Sequence, residues 1–218
     1  MDKFLIHGPC KIKGQVFISG SKNAALPILA STILFDKTVT IENLPRVRDI
    51  DTMLNLLKSL GSKIQFFNNK KTVKITKSKK QNFLAAYSLV KTMRGSILSL
   101  GALITKYKKA IISLPGGCSI GARPINYHLN ALKKLGMRYE IKRGYIHASS
   151  KGKLNGTKIK FSKISVGATE NSIIAACLAN GKTILKNCAI EPEIKNDLTE
   201  FLNKAGAKIK WTGKRTCQ

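Results

Sequence analysis

The stretch DIDTMLNLLKSLGSKI, Asp49–Ile64, decides the fold because it contains a helix together with the signals that begin and end it. Its apolar residues follow the three- and four-residue spacing of an amphipathic helix, at Ile50, Met53, Leu54, Leu57 and Leu60. Asp49 is predicted to be the N-cap, and Gly61 lies where a residue of positive φ ends a helix. The stretch therefore predicts a helix with one buried face, followed by a strand.

The same plan occurs twice more, in PINYHLNALKKLGMRYEI (124–141) and EIKNDLTEFLNKAGAKI (193–209). The glycines that end these helices, Gly61, Gly136 and Gly206, recur at intervals of roughly 70 residues. Each helix is preceded by an apolar segment with a small-residue opening: GSKNAALPILASTILF, MRGSILSLGALI and VGATENSIIAACLANG. The chain is therefore predicted to contain three copies of one unit.

The opening segments are apolar on nearly every side, so they are predicted to be buried helices at the centre of a threefold arrangement, including Ala24–Phe35 and Thr169–Leu178. Pro27 lies near the start of the first of them, where its cost is smallest. Helices and strands alternate, which predicts a mixed α and β class (α+β). The predicted strands are Thr38–Ile41, Lys63–Phe66, Thr72–Ile75, Ala110–Ser113, Arg138–Ile141, Tyr145–Ala148, Thr157–Phe161 and Lys182–Leu185.

Composition limits the possible functions. The 218 residues are 43% hydrophobic, which is ample for a core, and neither a membrane span nor a secretory signal is visible, so a cytoplasmic location is predicted. The five cysteines are scattered and form no C-x-x-C pair, so neither a disulfide framework nor a metal site is predicted. The net charge of +28 invites a nucleic-acid interpretation. The lysines are spread along the chain, however, and this distribution favours a solvated surface that attracts small anions.

Five motifs carry a resemblance to a known family: GSKNAALPILA, KTMRGSI, SLPGGCSIGARP, SVGATENSIIAA and EPEI. In this order and spacing the chain resembles the UDP-N-acetylglucosamine 1-carboxyvinyltransferases, which are enolpyruvyl transferases, over almost all of its length. The resemblance implies an inside-out α/β barrel of three βαβαββ repeats around buried helices. It places the repeats at about 21–76, 90–149 and 157–218, the last one incomplete, and assigns residues 1–20 to strands of a second, largely absent domain.

The family reaction adds the 3′-hydroxyl of the nucleotide sugar to C2 of phosphoenolpyruvate, protonates C3 and then expels phosphate. By resemblance Cys118 is the general acid, forms a covalent adduct with phosphoenolpyruvate and is the target of the antibiotic fosfomycin. Lys22 and Asn23 are implied to contact phosphoenolpyruvate. The residues implied to contact UDP-N-acetylglucosamine are Arg94, Arg123, Pro124, Ile125, Asn126, Tyr127, Lys163, Ile164, Ser165 and Val166. Asn126 and Tyr127 depart from the family pattern, which more often has aspartate and leucine there.

The residues themselves support part of this assignment. Lys22 precedes a buried helix, whose N-terminus together with the ammonium group suits an anion. Asn23 fits a helix cap as well as it fits a substrate contact. Arg94 would fit a surface cation, but its matching place before the second buried helix favours an anion ligand. The glycines around Cys118 permit a mobile loop, and nearby Arg123 would lower the thiol pKa. Thr169 fits an ordinary helix cap.

An aspartate and several arginines of the family site come from a C-terminal half that has no counterpart here. The chain alone is therefore expected to fold, to bind nucleotide weakly and not to turn over. The implied partners are the two small-molecule substrates and a missing C-terminal half, with no nucleic acid, no membrane, no cofactor and no metal. The alternatives are a 3-phosphoshikimate 1-carboxyvinyltransferase of the same fold and a basic nucleic-acid-binding module.

Overall fold

Three apolar helices lie at the centre of the protein, as the hydrophobic pattern predicts. The computed structural model describes residues 3–114 and 124–218. The α-helices in these residues are α1 (Lys22–Ser31), α2 (Arg48–Ser59), α3 (Tyr87–Val90), α4 (Leu98–Tyr107), α5 (Asn126–Lys134), α6 (Val166–Ala176) and α7 (Thr199–Lys204). Helices α1, α4 and α6 are buried along most of their length. Short 3₁₀ turns extend α1 (Thr32–Leu34) and precede α4 (Arg94–Ile97), and a π-helical segment precedes α7 (Glu193–Leu198).

The described strands form three separate sheets that flank these helices. The strands are β1 (Val39–Ile41), β2 (Ser62–Phe67), β3 (Thr72–Lys77), β4 (Leu84–Ala85), β5 (Lys109–Ser113), β6 (Arg138–Lys142), β7 (Tyr145–Ser149), β8 (Lys158–Lys160), β9 (Ile184–Lys186) and β10 (Thr216–Cys217). Their orders are β1-β3-β2, β4-β5-β7-β6 and β10-β9-β8. Each sheet thus belongs to one stretch of the chain, which is what a triplicated unit requires.

The three sheets share a pairing scheme. β3 pairs antiparallel with β1, β7 with β5, and β10 with β9. A parallel edge strand is added in two of them, where β4 joins β5 and β8 joins β9. Alternate residues of the shared strands turn inwards, such as Val73 and Ile75 of β3 and Ile146 and Ala148 of β7, which are all buried. Each sheet therefore places one face on the helical core.

The glycines that end the second helix of each unit have the predicted conformation. Gly61, Gly136 and Gly206 follow the C-caps of α2, α5 and α7, with φ values of 102°, 109° and 103°. A positive φ is strained for any residue with a Cβ, so glycine is required at these points. The helix-stop prediction is confirmed in all three units.

The eight predicted strands are all present, with ends that differ by one or two residues. Two capping interpretations are wrong here, and Pro27 lies further into its helix than predicted. Ser21 rather than Asn23 caps α1, and its side chain accepts a hydrogen bond from the Ala24 N–H at 3.4 Å. Helix α2 has Val47 at its N-cap, so Asp49 lies inside the first turn. Because α1 begins at Lys22, Pro27 is the sixth residue of the helix.

Residues 3–20 contrast with this core. They contain neither helix nor strand, and their large apolar side chains are almost fully exposed, with Phe4 at 98% and Phe17 at 89%. A strand is defined by its partner, so a segment with no pairing edge beside it does not become one. Residues 3–20 therefore form no strand in this structure, and their assignment to strands of a second domain stays a prediction. At the other end, Thr216–Cys217 supplies a third-unit strand that the sequence analysis did not predict.

Candidate active site

The helices that carry the predicted site residues begin close together. A Cβ added to Gly95, in the 3₁₀ turn before α4, would lie 3.2 Å from Leu26 of α1. A Cβ on Gly167, near the start of α6, would lie 3.0 Å from the ring of His128 in α5. Asn171 of α6 is hydrogen-bonded to residues of both α4 and α5. The N-terminal halves of α1, α4, α5 and α6 thus meet in one region of the protein.

Lys22 is the first residue of α1, and its ammonium group lies 3.1 Å from Asp49 Oδ2 in the first turn of α2. Both side chains are partly exposed, at 46% and 34%, so the ion pair holds the lysine only weakly. The first N–H groups of a helix also point outwards at this end. An anion bound here would meet a positive charge and backbone donors together. Asn23, the next residue, is exposed.

Arg94 opens the 3₁₀ turn that leads into α4 and is half-buried. Burial lowers the pKa of His128 to about 4, and the positive charge of Arg94 contributes to the shift. His128 is therefore neutral at physiological pH, and Arg94 supplies the positive charge at this point.

The turn from Lys163 to Val166 leads into α6. Ser165 is the N-cap, and its hydroxyl accepts a hydrogen bond from the Ala168 N–H at 3.3 Å. The capping interpretation of Thr169 is wrong, because its hydroxyl lies inside the helix and donates to the Ser165 carbonyl at 2.8 Å. Lys163, Ile164 and Val166 are exposed, so this turn presents side chains to solvent.

The other predicted nucleotide residues lie at the start of α5. Pro124 is exposed, Ile125 is the N-cap, and Asn126 and Tyr127 are the first two helical residues. Beside them is a cleft of about 590 Å³ between α5 and the end of β8. It is lined by Tyr127, Asn130, Ala131, Lys133, Lys134, Ile159, Lys160, Phe161 and Ser162. The cleft combines an aromatic ring with lysines, which suits a ligand that has both a flat ring and negative charge.

Cys118 and Arg123 lie outside the described residues, and the predictions for them stay predictions. The buried thiols of the described residues differ from a reactive thiol in their pKa. Burial raises the pKa of Cys177 and Cys217 to about 12 and that of Cys188 to about 11. These three thiols are protonated at neutral pH and are not nucleophiles. Cys10 is exposed.

Two buried polar residues of α6 were not predicted. Burial raises the pKa of the Glu170 carboxyl to about 8, and the charges of Glu191 and Glu193 add to the shift. Asn171 is fully buried and hydrogen-bonded to three groups. The signal was present in the sequence, because the run Glu170–Ser172 interrupts an otherwise apolar segment. Polar residues in a buried helix require partners, so such a run indicates a network.

The composition of the described residues also bears on metal sites and on membrane-spanning helices. Among residues 3–114 and 124–218, no three His, Cys, Asp or Glu side chains are grouped so that they could hold a metal ion. No helix in the same residues is long and apolar enough to cross a membrane.

Comparisons with known proteins agree with the motifs. A family model described as EPSP synthase (3-phosphoshikimate 1-carboxyvinyltransferase) matches residues 6–217. A UDP-N-acetylglucosamine 1-carboxyvinyltransferase of Pelagibacter ubique (strain HTCC1062) is 60% identical over 216 residues, which are 99% of this chain and 51% of the relative. The protein of the same name from Acinetobacter baylyi (strain ATCC 33305 / BD413 / ADP1) is 49% identical over 209 residues, 96% of this chain and 49% of the relative. The chain thus spans about half the length of the curated relatives it matches.

Solved structures confirm the fold. The enolpyruvyl transferase NikO from Streptomyces tendae superposes with a TM-score of 0.82 at 20% identity, over 97% of this chain and 49% of that one. EPSP synthase from Acinetobacter baumannii superposes with a TM-score of 0.70 at 18% identity, over 94% of this chain and 46% of that one. The protein therefore has the fold of the enolpyruvyl transferases, as the resemblance implies. The chain belongs to the EPSP synthase family.

Proposed function

We propose that this chain provides the nucleotide-binding half of an enzyme that transfers the enolpyruvyl group of phosphoenolpyruvate to the 3′-hydroxyl of UDP-N-acetylglucosamine. The observation that carries the proposal is the 60% identity, over 99% of the chain, to a relative named for this substrate. The structural neighbour named EPSP synthase is only 18% identical, so phosphoshikimate is less well supported as the acceptor. The reaction would serve peptidoglycan precursor synthesis in the cytoplasm, and hence cell shape and division.

The domain assignment belongs to the same proposal. Residues 21–218 form the triplicated domain, and residues 3–20 belong with a second domain. The exposed apolar side chains of Phe4, Val16 and Phe17 support this division, because a segment of this composition gains stability only when another surface covers it. The substrates would lie at the helix starts described above, between the two domains.

Each chemical step needs a charge or a proton at a defined place. The hydroxyl oxygen bonds to C2 of phosphoenolpyruvate and loses its proton, while C3 gains one. The tetrahedral product then expels phosphate and releases a proton from C3. Lys22 and the N-terminus of α1 would hold the phosphate, because both offer positive charge to an anion whose charge grows as the bond breaks. Asn23, the next residue, would contact the same substrate.

Cys118 would give the proton to C3. Arg94, Arg123 and Lys163 would bind the diphosphate of the nucleotide, since paired N–H donors suit phosphate oxygens. Pro124–Tyr127 would contact the nucleoside from the start of α5, where Tyr127 lines the cleft, and the turn of Ile164, Ser165 and Val166 would contact it from the start of α6. The lysine-rich lining of that cleft supports this placement.

The test uses the 218-residue chain and does not require turnover. Its intact mass is measured after exposure to fosfomycin, with and without UDP-N-acetylglucosamine, beside the Cys118→Ser variant. The thiolate opens the epoxide, so a carbon–sulfur bond forms, the carbon–oxygen bond breaks and the oxygen takes a proton. We expect an adduct of one whole fosfomycin on the wild type, faster with the nucleotide sugar and absent from the variant.

A control repeats the measurement with shikimate 3-phosphate in place of the nucleotide sugar. Acceleration by this compound alone would favour the other acceptor of the family. No adduct on a chain that circular dichroism shows to be folded would overturn the proposal that this chain provides the nucleotide-binding half with its reactive thiol.

A further inference from the structure

The carboxamide of Asn171 joins α6 to the start of α4. Its Oδ1 accepts a hydrogen bond from the Gly101 N–H at 2.9 Å, and its Nδ2 donates one to the Ile97 carbonyl at 3.1 Å. Residues 97 and 101 are one helical turn apart, so the side chain binds both backbone groups of the first turn of α4. A backbone N–H only donates and a carbonyl only accepts, so these two bonds fix which atom of the amide is oxygen.

The same nitrogen lies 3.1 Å from Nδ1 of His128. Since Nδ2 can only donate, Nδ1 of His128 must be the acceptor, and the ring proton must be on Nε2. A charged imidazolium would have a hydrogen on both nitrogens and would clash with the donor. The low pKa of His128, about 4, agrees with the neutral ring that this geometry requires.

The Nε2 edge of the ring faces the start of α6. A Cβ on Gly167 would lie 3.0 Å from Cε1 and 3.3 Å from Nε2 of His128, so the ring packs directly against this glycine. Gly167 follows Val166, the last residue of the predicted nucleotide turn. His128 itself lies one residue after Tyr127 on α5, and the pKa of its ring is lowered by burial and, to a smaller extent, by the charge of Arg94.

The network therefore ties together the three places that carry predicted nucleotide contacts. These are the turn that begins at Arg94, the start of α5 and the start of α6. A shift of one helix would move its contacts relative to the other two, and a ligand that touches all three would bind more weakly.

We propose that Asn171 is a positioning residue of the nucleotide site, which holds His128 as its Nε2–H tautomer and fixes the starts of α4, α5 and α6 against one another. The role rests on the proposed function and adds a residue to it. A neutral N–H donor beside Arg94 also avoids placing a second buried cation next to the guanidinium group.

The first experiment needs no ligand. Nitrogen NMR of the ¹⁵N-histidine-labelled 218-residue chain reports which ring nitrogen of His128 carries the proton near pH 7, with a His128→Gln sample to assign the signal. We expect a neutral ring protonated on Nε2. A ring protonated on Nδ1, or on both nitrogens, would overturn the proposal.

The second experiment measures the affinity for UDP-N-acetylglucosamine by calorimetry, together with thermal stability. Asn171→Asp keeps the shape of the side chain but removes both of its donated hydrogens. We expect the Kd to rise roughly 10- to 100-fold in the folded variant, and the His128 proton to move to Nδ1, where the carboxylate accepts it. The control is Asn55→Asp on the exposed side of α2, which makes the same charge change.

A pair of His128 variants covers the case in which Asn171→Asp does not fold. The amide of His128→Gln reaches the position of Nε2, whereas that of His128→Asn reaches only Nδ1. We expect the asparagine variant to keep more of the nucleotide affinity than the glutamine variant, because its amide oxygen can still accept the hydrogen bond from Asn171 Nδ2. Equal Kd values for folded Asn171→Asp and Asn55→Asp, or for the two His128 variants, would overturn the positioning role. A wild-type chain with the expected tautomer that binds no UDP-N-acetylglucosamine would overturn the proposed function, and the positioning role with it.

Discussion

Helix α6 buries two consecutive polar side chains, the Glu170 carboxyl group and the Asn171 carboxamide, in two different environments. Asn171 faces α4 and α5 and is hydrogen-bonded to the Gly101 N–H, the Ile97 carbonyl and His128. Burial and the charges of Glu191 and Glu193 raise the pKa of the Glu170 carboxyl group, which has no hydrogen-bond donor among the described residues. A buried polar group with partners specifies how helices pack. A buried carboxyl group without partners takes up a proton instead. We call the surface of α6 around Asn171 its rigid side and the surface around Glu170 its titrating side.

The largest loss of stability is expected for Gly101→Ala, because α4 approaches Asn171 most closely at this glycine. A Cβ on Gly101 would lie 2.6 Å from the Asn171 carbonyl oxygen and closer still to its side-chain oxygen. Alanine is the better helix former by about 1 kcal/mol, so propensity alone would stabilise Gly101→Ala. We expect the overlap to dominate and the free energy of unfolding to fall by about 3 kcal/mol, because α4 and α6 must separate.

Thermal unfolding followed by circular dichroism measures this prediction. The matched control is Gly152→Ala, where an added Cβ would have no atom within 4 Å. If the two variants unfold at the same temperature, α4 and α6 do not approach as closely as the structure shows.

The titrating side is tested by Glu170→Gln. The native carboxyl has a pKa of about 8 against a reference of 4.5, so between these values the folded state binds more protons than the unfolded state. Stability therefore falls as the pH rises through this window, and the loss is complete above pH 8. Glutamine does not ionise, so we expect the advantage of the variant over the wild type to be small at pH 5 and to grow steadily as the pH rises to 9.

Melting temperatures measured from pH 5 to 9 check this difference, and Glu42→Gln is the control because Glu42 is exposed. An advantage of Glu170→Gln that did not grow with pH would show that the Glu170 carboxyl ionises normally in the folded protein.

The two sides of α6 also show what the sequence could predict. The buried helices, the stop glycines and eight strands follow from patterns within one segment, as in Ile50 to Leu60 followed by Gly61. Lys22 was placed correctly at a helix start for the same reason. The ion pair of Asp49 with Lys22 was missed because the two residues lie 27 positions apart in the sequence. Judged from its neighbours alone, an aspartate just before an amphipathic helix is typical of an N-cap.

The Asn171 network could not be predicted, because its partners lie 70 and 43 residues away and meet only through packing. The short strand β4 was missed because two residues carry no periodicity.

The smallest effect is expected at Thr169, a third buried polar residue of α6. Its hydroxyl donates to the Ser165 carbonyl at 2.8 Å and accepts the Ala189 N–H at 3.1 Å. Thr169→Val keeps the shape but leaves this N–H without its acceptor, which we expect to cost about 1 kcal/mol. Thr52→Val is the matched control, because Thr52 donates to the Arg48 carbonyl in the same way but accepts no backbone N–H. The loss should therefore exceed that of Thr52→Val, and the Ala189 amide should exchange its hydrogen faster. Unchanged hydrogen exchange at Ala189 would mean that the Thr169 hydroxyl does not hold this amide. Of Thr169 and Asn171, only Asn171 would then fix α6 to its neighbours by hydrogen bonds.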